Sequence, residues 1–273
     1  MVPTDKLLDG VVAAELDYDA LEDDDLVIAE ADACPPEEAP EGVLAMASGP
    51  LSAAAGGFVR TNELGGVPLF YARGIPPQQR TFAIEPGFHQ VLLGTLKAVR
   101  ARAPQSFGKV TRITCAGTLV AKPGFHGLGR AFDHDAWTFE HVDIRPIAGD
   151  HASASLPKRQ RYWALAALMR SRSAYVLHGH YDLAHRDHLH QDNGGPRPFT
   201  TGSQATVKLV QAVCKHIYGR PVAIDGAFGP QSQAAVTAAM QRVNLPGDVF
   251  DPVQFNRFLL RSGRLGFELS TTA

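Results

Sequence analysis

Eleven histidines occur in 273 residues, and two short segments set them beside aspartates: GFHGLGRAFDHD at 124–135 and HRDHLHQD at 185–192. A catalytic zinc site takes three nitrogen or oxygen ligands from the protein and keeps a further position for water or substrate. His126, Asp133 and His190 can supply that set. Gly127 and Gly129 break any helix between the first two, so a loop entering a strand must bring them together. On a strand beginning near Arg130, Asp133 shares a face with Ala131 and Asp135, while Phe132, His134 and Ala136 take the other. His188 and His190 also share a strand face, and Asp187 reaches the His190 side only through a turn-like i, i+3 bend. Zinc lowers the pKa of bound water and polarises a carbonyl, and a neighbouring carboxylate, Asp187, can carry the proton to a leaving amine. The expected reaction is amide hydrolysis. His185, His188 and Asp192 are the nearest groups for holding the imidazoles by hydrogen bonds.

A plainer reading stands beside this one. HRDHLHQD can be a solvated turn with adventitious metal affinity, and His89, His141, His151, His178, His180 and His216 read as surface or satisfied core residues.

The elements that must position the cluster follow from period and punctuation. Val67–Tyr71 is a short apolar run that reads as a strand, and order is expected to begin there. Apolar residues at steps of three and four predict a helix over Phe88–Ala103, ended by Pro104. Strand-like pieces follow at Lys109–Cys115, Gly129–Trp137 and His141–Ile147. A second helix is expected over Lys158–Tyr175, with Tyr162, Leu165, Ala166, Leu168 and Met169 on its buried side, and then the strand-like Tyr175–His178. Helix and sheet without regular alternation indicate an α+β fold with a central antiparallel sheet. PRPFTTG, 196–202, has linker composition, and helices over Ala205–Ile217, Gln231–Val243 and from Pro252 make a three-helix unit. The chain therefore divides into an N-terminal segment at 1–66, a catalytic domain at 67–195, a linker at 196–204 and a helical domain at 205–273.

Charge is unevenly distributed. Residues 1–42 hold 14 acids and one base, and the remainder holds 14 acids and 25 bases, so a net of -2 conceals an acidic head on a basic body. The head lacks the apolar area to offset ordering entropy, which predicts poor order or at most a short helix around Leu16–Leu26; residues 43–66, rich in Ala, Gly and Ser, continue this character. No run of 18 apolar residues exists, so no membrane span is expected. No secretory signal is visible at the start, so the chain is expected to be made in the cytoplasm and, if it acts outside, to leave by a non-classical route. Cys34, Cys115 and Cys214 lie far apart and read as buried free thiols. The scattered Lys and Arg carry no recognised nucleic-acid motif, and no nucleic-acid partner is expected.

The pattern His126, Gly129, Ala131, Asp133 followed by His185, Asp187, His188, His190 resembles the extensin-like C-terminal family, which is similar to zinc D-alanyl-D-alanine peptidases and to phage L-alanyl-D-glutamate endolysins. The likeness covers roughly residues 67–195. It implies Zn2+ held by His126, Asp133 and His190, with Asp187 as base and His188 near the substrate. Gly124 stands where that family has Ser, and Lys122 stands in place of a substrate-holding Arg; Lys122 and His185 are the expected substrate-side residues. Lys is a point charge without the bidentate fork of Arg.

Residues 207–245 resemble the peptidoglycan-binding domain type. The residues that carry this are Val210-Gln211, Asp225-Gly226-Ala227-Phe228-Gly229-Pro230, Ala235-Val236, Gln241 and Leu245. Gly226 and Gly229 permit a tight turn and Pro230 suits the first position of a helix; Asp225 and Phe228 are the expected wall-binding residues. Together the two likenesses imply a zinc peptidase cutting an amide of the stem peptide or cross-link of peptidoglycan, as an antibacterial effector exported by a contact-dependent secretion machine, with an immunity protein or a secretion-machine component as partner, or as a phage-type endolysin. The alternative is a non-catalytic wall-binding protein with a structural His cluster.

Overall fold

The computed structural model of the chain describes residues 57–192 and 197–271. The acidic head, the helix expected at Leu16–Leu26, and Cys34 lie outside the described residues.

Helix and sheet are mixed as expected. Among the described residues ten strands form: β1 Val59–Thr61, β2 Glu63–Leu64, β3 Val67–Tyr71, β4 Gln78–Gln79, β5 Phe82–Ile84, β6 Val110–Cys115, β7 Ala131–Phe139, β8 Asp143–Ile144, β9 Tyr175–Leu177 and β10 Leu189–Asp192. The helices are α1 Pro86–Arg102, α2 Leu156–Arg170, α3 Gln204–His216, α4 Pro230–Arg242 and α5 Pro252–Leu269. The main sheet runs β2-β3-β6-β7-β10-β9, with β4 on β3 and β8 on β7. It is antiparallel except for β3 and β6, which run parallel; β5 and α1 lie in the chain between these two strands. A separate two-stranded ribbon pairs β1 with β5.

Helices α1, α3 and α5 start where a side chain satisfies their free amides. The Glu85 carboxylate accepts from Gly87 and Phe88 N–H at 3.0 and 2.8 Å, and Pro86 opens α1. Asp251 accepts from Val253 and Gln254 N–H at 2.8 and 3.1 Å ahead of Pro252 in α5. α2 ends earlier than the apolar pattern suggested, at Arg170. The Ser171 and Ser173 hydroxyls donate to the last-turn carbonyls of Leu168 and Met169, at 2.7 and 2.8 Å, and take the chain off the helix before Tyr175.

Four expectations need correction. Residues 57–66 are not linker: they supply β1 and β2, and Leu64 is buried. The strand expected over His141–Ile147 is only two residues long, because Pro146 has no N–H to give a ladder and begins a one-turn helix. From Tyr162 onward the helix α2 has no solvent face, every residue to Arg170 being buried. Finally, the described part of the 196–204 connection is not a spacer. Phe199 is buried and packs edge-on and tilted against Phe228, Phe250 and Phe255, with ring centroids 4.9 to 5.5 Å apart.

That last point belongs to a larger one. A single core runs from the sheet through α2 into α3 and α5. Phe107 after α1 meets Phe267 of α5 at 5.5 Å. The Arg170 guanidinium donates to the carbonyls of Ser173 and Arg197 at 3.1 and 3.0 Å. Gly263 and Gly266 of α5 sit against α2: a Cβ on Gly266 would lie 2.7 Å from Ile217 Cδ1 and 2.9 Å from Ala164 Cβ, and one on Gly263 would enter the Leu168 side chain. The helical unit is thus packed onto the sheet unit.

Candidate metal centre

His126 sits in a one-turn 3₁₀ segment, Phe125–Leu128, made by glycines. Gly129 closes the turn in the left-handed region at φ 66°, and Gly127 has the Lys122 carbonyl packed where a Cβ would go. The strand therefore begins at Ala131 rather than Gly129. On β7 the alternation holds as expected. Asp133 and Asp135 face the site, while His134 turns to the other face, where its Nδ1 accepts from Trp137 Nε1–H at 3.2 Å. Its Nε2–H then donates to Gln191 Oε1 at 3.1 Å, and Gln191 Nε2–H donates to Thr95 Oγ1 of α1 at 2.8 Å. Burial holds His134 neutral, its pKa lowered to about 3. This buried chain ties β7 and β10 to α1 and fixes their register.

The register puts Asp133 directly opposite His190. His190 Nδ1 lies 2.8 Å from Asp133 Oδ1, and His126 Nε2 lies 3.2 Å from the same oxygen. Ligand atoms of the three residues fall within 4.8 Å of one another. Their outer nitrogens are occupied. His126 Nδ1 is 2.7 Å from the Thr118 carbonyl, which can only accept, so Nδ1 carries the hydrogen and Nε2 presents its lone pair inward. His190 Nε2 donates to Asp192 Oδ2 at 2.9 Å, which leaves Nδ1 as its inward nitrogen. Two imidazole nitrogens and a carboxylate oxygen converge on one point with their hydrogen-bonding hydrogens on the outside, an arrangement that suits a cation.

Charge is concentrated here. Burial alone would raise the Asp133 carboxyl, but the His126 and His190 rings that point at it hold it far below the ordinary carboxylate range. Burial alone would lower His190, but Asp133 and Asp192 on either side raise it to about 9, so a proton and a cation compete for its inward nitrogen. Asp135 is fully buried and neither oxygen accepts a hydrogen bond. Desolvation raises it to about 7 against the pull of Arg73, whose guanidinium is 3.9 Å away.

The remaining expected residues divide. Asp187 is half-exposed, and its partner is not His190: Oδ1 accepts from His188 Nδ1 at 2.8 Å and Oδ2 from Arg73 at 3.2 Å. Burial works against this carboxylate, but His188 and Arg73 keep it below its ordinary range. His188 Nε2 lies 3.6 Å from Asp133 Oδ1, so this imidazole faces the cluster. His185 faces it too, 5.0 Å ring to ring from His188 and 5.7 Å from His190, with its Nδ1 2.7 Å from Asp182 Oδ1. Asp192 holds His190 as the spacing suggested. Lys122 is exposed on the loop before His126 and forms no ion pair among the described residues. Asp225 is a turn builder: it accepts from Gln211 Nε2 and from Ala227 N–H at 2.8 and 2.9 Å, and the Oε1 of the buried Gln211 accepts from Asp225 and Gly226 N–H. Phe228 packs half-buried on Phe199 and Phe250. Cys115 and Cys214 are buried free thiols. Sequence reasoning missed Arg73, whose position after β3 carries no local signal, and Asp182, whose three-residue spacing to His185 could have been read.

The fold and the site together define an α+β chain whose His and Asp side chains are placed to hold a metal ion. Among the described residues no helix is long and apolar enough to cross a membrane. Comparison with family models, with curated proteins and with solved structures finds no match to this chain.

Proposed function

We propose that the chain is a zinc-dependent peptidase acting on an amide bond in the peptide part of peptidoglycan. The observation that carries the metal reading is the convergence of His126 Nε2, Asp133 Oδ1 and His190 Nδ1, with Thr118 and Asp192 fixing both imidazoles from behind. These three would hold zinc, and the donor set of two nitrogens and one oxygen is that of catalytic rather than structural zinc sites. Bound there, zinc supplies a Lewis acid for the scissile carbonyl and a water of lowered pKa. The chain's own part is proton handling and positioning. His188 faces the cluster with Asp187 behind it, and the pair takes a proton at His188 Nε2 and delivers it to the leaving amine. Arg73 keeps Asp187 ionised and oriented. With Lys122 out on its loop, Arg73 is the cation at the mouth that can meet a substrate carboxylate. The substrate class rests on the likeness of residues 67–195 and 207–245 to wall-directed modules, and the basic body of the chain, net +11 over residues 43–273, supports attraction to an anionic wall.

The test is digestion of purified peptidoglycan by the zinc-loaded protein and by Asp187→Ala, with new amino and carboxyl termini identified by mass spectrometry. New termini from the wild type and a rate lower by about 10²- to 10⁴-fold in the variant are expected. Wild-type protein that binds no stoichiometric zinc, or that binds it and releases no termini, refutes the reading.

A further inference from the structure

We propose that the ion reaches this centre through a second, overlapping position made by His185, His188 and His190, a capture site for a borderline-soft divalent transition-metal ion. The inference rests on the inner set being a metal site.

The same geometric signature marks both sets. Each of the three imidazoles has one nitrogen committed to its own carboxylate: His185 Nδ1 to Asp182 Oδ1 at 2.7 Å, His188 Nδ1 to Asp187 Oδ1 at 2.8 Å, and His190 Nε2 to Asp192 Oδ2 at 2.9 Å. An ionised carboxylate only accepts, so each of these nitrogens carries hydrogen; His185 Nε2 and His188 Nε2 are then left as donor atoms, and His190 Nδ1, 2.8 Å from Asp133 Oδ1, becomes the third once a cation takes the place of its proton. Ligand atoms of the three histidines lie within 4.8 Å of one another. Three imidazole ligands favour zinc, cobalt, nickel or copper over magnesium and calcium. The pattern is written into one stretch of chain, Asp182 to Asp192, in which three acids back three histidines.

His190 belongs to both sets and has a single inward lone pair, so the two positions hold one ion in alternation and not two ions together. Their surroundings set the direction of transfer. His185 and His188 are half-buried, whereas His126 and His190 are 4% and 8% exposed, so the outer set meets solvent first. The outer set offers imidazole nitrogens only, whereas the inner one offers the Asp133 carboxylate oxygen itself, so the cation gains Coulomb energy by moving inward. Arg73 fastens the free oxygen of Asp187, which keeps that carboxylate from capturing the ion and stopping it halfway.

The experiment uses the full chain in three forms: wild type, His126→Gln with Asp133→Asn to remove the inner set while keeping its shape, and His185→Ala with His188→Ala to remove the outer one. Cobalt titration followed by its visible absorption reads occupancy, stopped-flow uptake of zinc from a fluorescent chelator reads loading, and circular dichroism checks the fold. The inner-deleted form is expected to bind one cobalt ion about 10- to 100-fold more weakly than wild type. The outer-deleted form is expected to bind one ion at near wild-type affinity but to load about tenfold or more slowly, the scale on which local capture raises on-rates. A folded inner-deleted form that binds no cobalt, or an outer-deleted form that loads at the wild-type rate, overturns the proposal. Should the inner-deleted form lose its fold, the loading rate of the outer-deleted form decides alone. Neither result depends on peptide hydrolysis: failure of the peptidase reading shows as wild-type protein that takes up zinc and cuts nothing.

Discussion

Replacing Gly263 by Ala tests whether the helical unit is packed onto the sheet unit, and the structure gives the sign by comparison with a second glycine. Both Gly94 in α1 and Gly263 in α5 are helix-interior positions. Alanine gains about 1 kcal/mol over glycine at such a place through backbone entropy alone. At Gly94 the nearest atom to a new Cβ is Arg172 Cδ at 3.8 Å, ordinary contact with a flexible side chain, so Gly94→Ala should stabilise by about 0.5 to 1 kcal/mol. At Gly263 the new Cβ would overlap Leu168 Cδ2 and Cγ and lie 3.1 Å from Cδ1, and Leu168 is fully buried in a helix with no free face to yield into. Overpacking costs about 1 to 3 kcal/mol, and here the whole of α5 must back away, which places the cost at the upper end. The net expectation is a loss of about 1 to 2 kcal/mol. Urea unfolding followed by tryptophan fluorescence and by far-ultraviolet dichroism would measure both variants. Coincident single transitions are expected, because Trp163 lies in the shared core and the two units unfold together. Should Gly263→Ala stabilise the chain as Gly94→Ala does, or should the wild type unfold in two separate steps, the close seam between α2 and α5 would be refuted.

Other consequences are open to direct measurement. Asp192→Ala frees the outer nitrogen of His190 and should weaken zinc binding about 10- to 100-fold in a chelator competition, with no change in dichroism; unchanged affinity would mean that Asp192 does not orient the ligand. His178, His180 and His216 surround Trp163, and burial lowers them to about 3, 4 and 4. Their folded-state values lie below the unfolded 6.5, so the unfolded chain binds more protons. Stability should therefore be full above about pH 6.5 and fall as pH drops toward 4, by about 1.4 kcal/mol per pH unit for each histidine that stays neutral; a urea midpoint that is flat between pH 7 and 5 would contradict this. A chain ending at residue 203 exposes the face of α2 that α5 covers and should fail to give a cooperative unfolding transition, whereas a cooperative one would show the sheet unit to be independent.

Much of this architecture was legible, and the parts that were not share a cause. Helix starts at Pro230 and Pro252 are local chemistry, and the period of two along β7 placed Asp133 and Asp135 on one face and His134 on the other. That His126, Asp133 and His190 could meet needed only residue types, spacing and two glycines. What local pattern could not supply was pairing across the chain. Val59 finds its partner in Ile84, so a Gly- and Ser-rich approach read as linker becomes strand. Asp187 finds Arg73, 114 residues away, in place of His190 three residues on. The α2 pattern suggested one buried stripe because its second partner, α5, lies near the other end of the chain.

The seam between α2 and α5 also governs what the two units can do to one ligand. With a flexible tether, the second contact would be made at an effective concentration set by linker length, and a wide range of spacings would be tolerated. A close-packed joint without slack replaces that range with one offset and one orientation. Were each unit to hold one part of a polymer, as the proposed wall binding would have it, a repeat that matched the offset would be held at both ends for little additional entropy, and the close approach at Gly263 and Gly266 would set that offset.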